Sequence, residues 1–221
     1  KKVFSRGLDF SVTKKVPLIV YIYEVVSGDV HEYVNPSYDN NIGFNISNFT
    51  TNGYAVLLAD IAHEKGNTGF SAADCVTAGV KKVTEMGVAD VKKIGLFGHS
   101  FGGYETNFIL TQTNLFSTAI SGNGVSDVVA HYFNYNNDFG SIDSWRYENQ
   151  QLRMGFPFFD NKEAYYSNSP LLNADKVTNA EKADYLFHMT NILIDDAYDK
   201  GHYDGVNDPT LKAAKSIDLN I

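Results

Sequence analysis

The sequence predicts an α/β fold in which a mostly parallel sheet is flanked by helices, within a single domain spanning residues 1–221. Apolar runs of strand length alternate with loops and with segments of helical period, which is the order of a parallel sheet with right-handed crossovers. A glycine-rich turn at 98–102 joins one of these runs to a helix-compatible segment. The length of 221 residues and a hydrophobic content of 43% suit one globular domain with a substantial core.

Four apolar runs are the predicted strands. Residues 16–23 are mostly β-branched or aromatic, which is typical of a strand buried on both faces, and 54–61 are predicted as a second buried strand. Residues 94–97 and 116–121 are the third and fourth strands. Between the first two strands, residues 24–49 are predicted as a long loop with one short helical turn, and loops of that length inside compact domains are usually functional.

One long helix is predicted between the second and third strands. Ser71 is expected to cap it, with Asp74 completing an S-x-x-D capping box. The helix is expected to run to about Met86 and to end at Gly87. The single cysteine, Cys75, cannot form an internal disulfide and is expected to pack in this helix as a small hydrophobe.

Beyond Val125 the regular alternation lapses into a segment that is aromatic and polar at once. Such a composition suits the wall of a substrate cleft, and Trp145 and Tyr147 are the candidate substrate contacts. The alternative is that these aromatic side chains are ordinary core. Residues 169–175 predict a turn that enters a short helix, and after Val177 only 192–194 is strand-like.

The glycine-rich turn, Gly98-His99-Ser100-Phe101-Gly102, carries a G-x-S-x-G pattern. In this pattern the serine occupies a sharp turn between a strand and a helix, and glycine is needed where the backbone is crowded. Gly103 would let the helix pack closely on the sheet. The pattern predicts a nucleophile elbow with Ser100 exposed to a base, and the alternative is a glycine-rich turn without chemistry.

Charge and composition restrict the partners. A net charge of −8 with scattered Lys and Arg argues against a nucleic-acid partner and against an anionic membrane surface. No apolar run has the length of a membrane span, and the first residues show no signal-peptide pattern. We therefore expect a cytosolic protein, or a mature or excised piece of a longer one, with no cofactor and no metal. The compartment and the oligomeric state stay open.

Several segments, taken in chain order, carry a resemblance to a known domain: Tyr21-Ile22-Tyr23-Glu24, the strand from Asn52-Gly53-Tyr54 to Asp60, the helix between Asp74 and Gly87, the elbow through Tyr104, and 169–177. Together they resemble the α/β-hydrolase catalytic domain of the prolyl oligopeptidase family of serine peptidases, in particular its dipeptidyl-peptidase-like branch. The resemblance covers about residues 8–178. The family pattern is divergent or truncated in 179–221, so the fold is expected to be incomplete at its C-terminal end. The propeller domain that usually precedes this catalytic domain is not expected within these residues.

The resemblance implies roles for three residues. Ser100 would be the acylating nucleophile, and the Tyr23 hydroxyl would stabilise the oxyanion together with the backbone N–H of Phe101. Two donors aimed at a developing oxyanion stabilise the tetrahedral intermediate. The alternative for Tyr23 is an aromatic side chain at a strand end with its hydroxyl in water.

The acid and the histidine of a triad should follow the serine along the chain. The later histidines are His131, His188 and His202, of which the first two are expected to be structural because of their positions. The remaining candidates are Asp196 and His202, but only five residues separate them, too few for the crossover that a parallel connection requires. The alternatives for this stretch are a solvated Asp-Gly loop and a metal-binding loop.

The sequence thus predicts a serine peptidase-like hydrolase that cleaves short peptides through an acyl-enzyme on Ser100. One alternative is a catalytically impaired hydrolase-fold module that binds peptide or a protein partner. A further alternative is an esterase, because the same elbow serves ester chemistry.

Overall fold

The computed structural model describes residues 2–6, 15–37, 44–137 and 139–177. Five strands form one sheet in the order β1-β3-β2-β4-β5, and β1 alone runs antiparallel to its neighbour. The strands are β1 (Lys2–Arg6), β2 (Val16–Ile22), β3 (Ala55–Ala59), β4 (Ala89–His99) and β5 (Thr118–Gly122). The predicted fold, with a mostly parallel sheet flanked by helices, is confirmed. The antiparallel edge strand β1 was not predicted.

The helices of the described residues are mostly short. They are α1 (Ile46–Thr51), α2 (Thr68–Glu85), α3 (Phe101–Gln112), α4 (Val128–Phe133), α5 (Ser144–Asn149) and α6 (Lys162–Ser167). Two 3₁₀ helices, Ser27–His31 and Leu171–Lys176, and a small hairpin of β6 (Tyr135–Asn136) and β7 (Ser141–Ile142) complete the fold. The second 3₁₀ helix is the short helix predicted near 169–175. Within the described part of the chain, no helix is long and apolar enough to cross a membrane.

The sheet has a hydrophobic core on each face, because successive side chains of a strand point to opposite sides. Leu18, Val20 and Ile22 of β2 pack on the face that α2 and α3 cover. Tyr21 of the same strand packs on the opposite face, where the Phe44 ring stacks on it at a centroid distance of 4.3 Å. This double burial confirms β2 as an internal strand.

The start of α2 differs from the prediction. The helix begins at Thr68, and the Ser71 hydroxyl lies within its first turn and donates to the Asn67 carbonyl oxygen at 2.8 Å. The predicted capping box of Ser71 and Asp74 is therefore wrong. The Asn168 side chain accepts a hydrogen bond from the Gly69 N–H at 2.9 Å, so a distant residue satisfies one of the free N–H groups at the helix start.

The end of α2 agrees with the prediction. Gly87 follows the helix with a φ of +74°, in the left-handed region that favours glycine, and its N–H donates to the Thr84 carbonyl oxygen at 2.9 Å. Cys75 is half-buried and packs against the core between α2 and the sheet, as predicted for a small hydrophobe.

Candidate active site

Ser100 occupies the turn between β4 and α3. Its backbone has φ 55° and ψ −116°, a conformation that non-glycine residues rarely adopt. The Ser100 N–H donates to the Gly122 carbonyl oxygen at 2.7 Å, and the Ser100 carbonyl oxygen accepts from the Tyr104 N–H at 3.1 Å. The strand, turn and helix that the G-x-S-x-G pattern predicts are therefore present, with the serine at the tip.

The glycines of the elbow lie where no side chain fits. A β-carbon at Gly98 would overlap the Gly102 carbonyl oxygen, and one at Gly102 would overlap the Ile22 carbonyl oxygen. At Gly103 it would lie 2.8 Å from the carbonyl oxygen of Gly122. All three close approaches involve backbone atoms, which cannot rotate out of the way. The elbow is thus packed directly against the ends of β2 and β5.

Tyr23 follows the last residue of β2 and lies beside the elbow. Its half-buried ring contacts the Phe101 ring edge to face, with centroids 6.4 Å apart. Its hydroxyl oxygen accepts a hydrogen bond from the Gln151 side-chain amide at 3.1 Å. Phe101 is the first residue of α3, so its N–H belongs to the group that a helix leaves without an intrahelical partner. Phe101 thus follows Ser100 directly in the chain, and the Tyr23 ring contacts Phe101.

Two residues of this region were not predicted, Gln151 and Arg153. The Arg153 guanidinium donates to the Glu24 carboxylate at 2.9 Å and to the Gln151 carbonyl oxygen at 2.6 Å. Gln151 is 128 positions from Tyr23 in sequence, and no periodicity or motif links the two segments. Only the folding of 125–170 over the sheet brings them together.

A buried pair, His63 and Glu105, lies next to the elbow. The His63 Nε2 is 2.8 Å from the Glu105 Oε1, and the side chains are 3% and 0% exposed. The His63 ring contacts the Phe101 ring at a centroid distance of 5.5 Å. This pair ties the loop after β3 to the helix that follows the nucleophile.

Burial raises the pKa of the Glu105 carboxyl above its ordinary value of 4.5, although the hydrogen bond and charge of His63 act in the opposite direction. A group whose pKa is raised by folding binds more protons in the folded state, so its contribution to stability is lost as pH rises. We expect the Glu105→Gln variant, which does not ionise, to gain stability relative to the wild type as pH rises from 4.5 through the folded-state pKa.

Urea unfolding at a series of pH values from about 4 to 7 measures this difference. The matched control is Glu32→Gln, at an exposed position that follows the first 3₁₀ helix. Its stability should follow that of the wild type without a pH-dependent gain. A Glu105→Gln profile parallel to the wild-type profile would show that the buried carboxyl does not have a raised pKa.

The two aromatic substrate-contact candidates lie in different surroundings. Trp145 is 39% exposed, and its ring meets Phe139 edge to face at 5.8 Å. Tyr147 is 2% exposed and packs in a cluster with Tyr132 and the start of α3, and this burial raises the pKa of its phenol. The prediction that Tyr147 contacts substrate is at odds with this burial, because its ring offers no surface to a ligand. Its placement fits the core alternative.

The described residues do not identify the base that would take the proton of the Ser100 hydroxyl. Among them, no side chain is hydrogen-bonded to the Ser100 hydroxyl. His131 lies in α4. Burial lowers the pKa of its imidazole, although the charges of Asp143 and Asp127 act in the opposite direction. This fits the structural role expected for His131. His188, Asp196 and His202 lie outside the described residues.

A serine at a strained turn, at the carboxyl edge of a mostly parallel sheet and backed by glycines, defines a hydrolase-like domain of the α/β-hydrolase fold. The sequence model of the prolyl oligopeptidase family matches residues 41–191, more than half of the chain. The chain belongs to the prolyl oligopeptidase family.

Solved structures of peptidases share this fold. An acylaminoacyl peptidase of Pyrococcus horikoshii aligns with a TM-score of 0.59 at 19% identity, over 87% of this chain and 33% of that chain. The dipeptidyl peptidase 4 of Porphyromonas gingivalis aligns with a TM-score of 0.60 at 18% identity, over 88% and 28%. At these identities the likeness shows the fold. The chain spans about a third of the length of these solved chains.

Proposed function

We propose that this chain is a serine peptidase that cleaves short peptides through an acyl-enzyme on Ser100. The observation that carries the proposal is the backbone of Ser100, held at φ 55° and ψ −116° by contacts between backbone atoms. Strain of this kind persists only where the surroundings over-determine it, and it is concentrated at functional sites. The family supports hydrolase chemistry at this serine.

In the proposed reaction, the Ser100 oxygen attacks the peptide carbonyl carbon while a base takes the hydroxyl proton. The carbonyl oxygen becomes an oxyanion that accepts hydrogen bonds from the Tyr23 hydroxyl and the Phe101 N–H. The tetrahedral intermediate collapses, the C–N bond breaks, and the base returns its proton to the leaving amine. Water then attacks the acyl-enzyme by the same route and releases the acid and Ser100.

The proposed base is His202 and the proposed acid is Asp196, because these are the candidates that remain in the order serine, acid, histidine, even though the five residues between them are too few for the usual crossover. The exposed ring of Trp145 is the proposed substrate contact, since an accessible aromatic face can pack against a peptide side chain. The proposed partner is thus a peptide substrate.

The experiment is a turnover screen of the 221-residue chain against short peptides with a fluorogenic leaving group and against p-nitrophenyl esters. We expect peptide turnover that the Ser100→Ala variant loses entirely. The matched control is Ser141→Ala, at an exposed position in β7, which should retain full turnover. Turnover of esters alone would favour the esterase alternative, and peptide binding without Ser100-dependent turnover would favour the non-catalytic module. Either result would contradict the proposal.

A further inference from the structure

We propose that Gln151 and Arg153 are positioning residues that hold the Tyr23 hydroxyl ready to donate a hydrogen bond to the oxyanion; this inference rests on the proposed function. Both residues lie in the turn that follows α5, and both reach the two residues that follow β2. Gln151 contacts the Tyr23 hydroxyl, and Arg153 contacts the carboxylate of Glu24. One short turn therefore fixes the side chain of the oxyanion donor and the residue next to it.

The direction of the Gln151 hydrogen bond determines what Tyr23 can do. A tyrosine hydroxyl has one proton to donate and two lone pairs to accept with. The Gln151 amide N–H occupies a lone pair of the Tyr23 oxygen at 3.1 Å. The Tyr23 proton is therefore not used in this contact and stays available to an oxyanion beside Ser100. A hydrogen bond in the opposite direction would remove the donor from the site.

Arg153 keeps the same turn in place. Its guanidinium donates to the Gln151 carbonyl oxygen at 2.6 Å, its N–H to the Gln150 carbonyl oxygen at 3.1 Å, and its own carbonyl oxygen accepts from the Gly66 N–H at 2.9 Å. Its side chain is 39% exposed and that of Glu24 is 29% exposed, and ion pairs as exposed as this add little stability. The contribution of this pair is geometric.

The backbone at both ends of the ion pair is strained. Glu24 has a φ of 49° and Arg153 a φ of 47°, both in the left-handed region. The Glu24 carbonyl oxygen also accepts from the Ile61 N–H at 2.7 Å. Strained residues that are fixed by several contacts each are typical of sites where geometry matters to function. The ion pair is thus one of several contacts that together fix the segment that follows β2, from which the Tyr23 side chain projects.

Two variants of Gln151 separate positioning from simple packing. Gln151→Met keeps the length but loses the donor, and we expect kcat to fall about 10-fold with KM little changed, the equivalent of one ordinary hydrogen bond. Gln151→Glu presents a carboxylate that accepts a hydrogen bond from the Tyr23 hydroxyl. We therefore expect kcat to fall about 10²-fold, as if one oxyanion donor were absent. The matched control is Gln150→Glu, the same charge change at the neighbouring exposed position, with wild-type kcat expected.

The decisive comparison places each Gln151 variant in a Tyr23→Phe background. Without the Tyr23 hydroxyl, Gln151→Met and Gln151→Glu should have no further effect on kcat. Arg153→Met should lower kcat, and Arg153→Lys should recover part of the loss because it keeps the charge. Full kcat in Gln151→Glu, or equal losses with and without the Tyr23 hydroxyl, would overturn the inference while leaving the proposed function intact. A wild-type chain without Ser100-dependent turnover would instead reject the proposed function, and this inference with it.

Discussion

Replacing Gly98 with alanine is expected to lower the free energy of unfolding by about 3 kcal/mol or more and to abolish reaction at Ser100. The added β-carbon would overlap the Gly102 carbonyl oxygen and would also crowd the Thr106 hydroxyl. Because the first of these is a backbone atom, relief requires the elbow itself to move. The serine would then lose the conformation that presents its hydroxyl.

Chemical unfolding and active-site labelling, measured on the same preparation, check this expectation. The matched control is Gly28→Ala, because a β-carbon at Gly28 meets no atom within 4 Å and its φ is not in the left-handed region. That variant should match the wild type in both measurements. An unfolding curve for Gly98→Ala that coincides with the wild-type curve would show that the elbow is not packed as described.

Replacing Tyr23 with phenylalanine is expected to lower kcat about 10²-fold or more, with a much smaller change in KM. The reason is that the hydroxyl is the proposed donor to an oxyanion that forms only along the reaction. The phenylalanine ring keeps the edge-to-face contact with Phe101, so the fold should be retained.

Steady-state kinetics on the peptide that the turnover screen identifies measure both parameters. The matched control is Tyr33→Phe, the same loss of a hydroxyl at a position that is 81% exposed. It should leave kcat and KM unchanged. If Tyr23→Phe kept the wild-type kcat, the tyrosine would be the strand-end aromatic of the alternative interpretation and the oxyanion would rely on other donors.

Much of the fold follows from local sequence patterns. The apolar run predicted as a strand at 16–23 forms β2 at Val16–Ile22, because its side chains are buried on both faces of the sheet. The start of α2 could not be found in the same way, since the residue that satisfies its free N–H is Asn168, 99 positions away from Gly69. Local signals therefore predict where elements lie, whereas long-range contacts decide where this helix begins.

The residues of the candidate site also differ in whether local sequence or long-range contacts determine them. Ser100 and Tyr23 were predicted because each follows a recognisable strand, one through a motif and the other through a resemblance. The pair of His63 and Glu105, 42 positions apart, depends on tertiary packing that no motif encodes. For Tyr147 the sequence left two interpretations, because an aromatic residue in a polar segment suits both a cleft wall and a core. Its exposure of only 2% in the structure decides for the core.

The proposed function requires that the fold presents Ser100 as an activated nucleophile. The most direct test is to incubate the 221-residue chain with a fluorophosphonate probe and to locate the adduct by mass spectrometry of its peptides. We expect one adduct, on Ser100, that is absent from the Ser100→Ala variant and from heat-unfolded protein. A folded wild-type chain that acquires no label at Ser100 would contradict it.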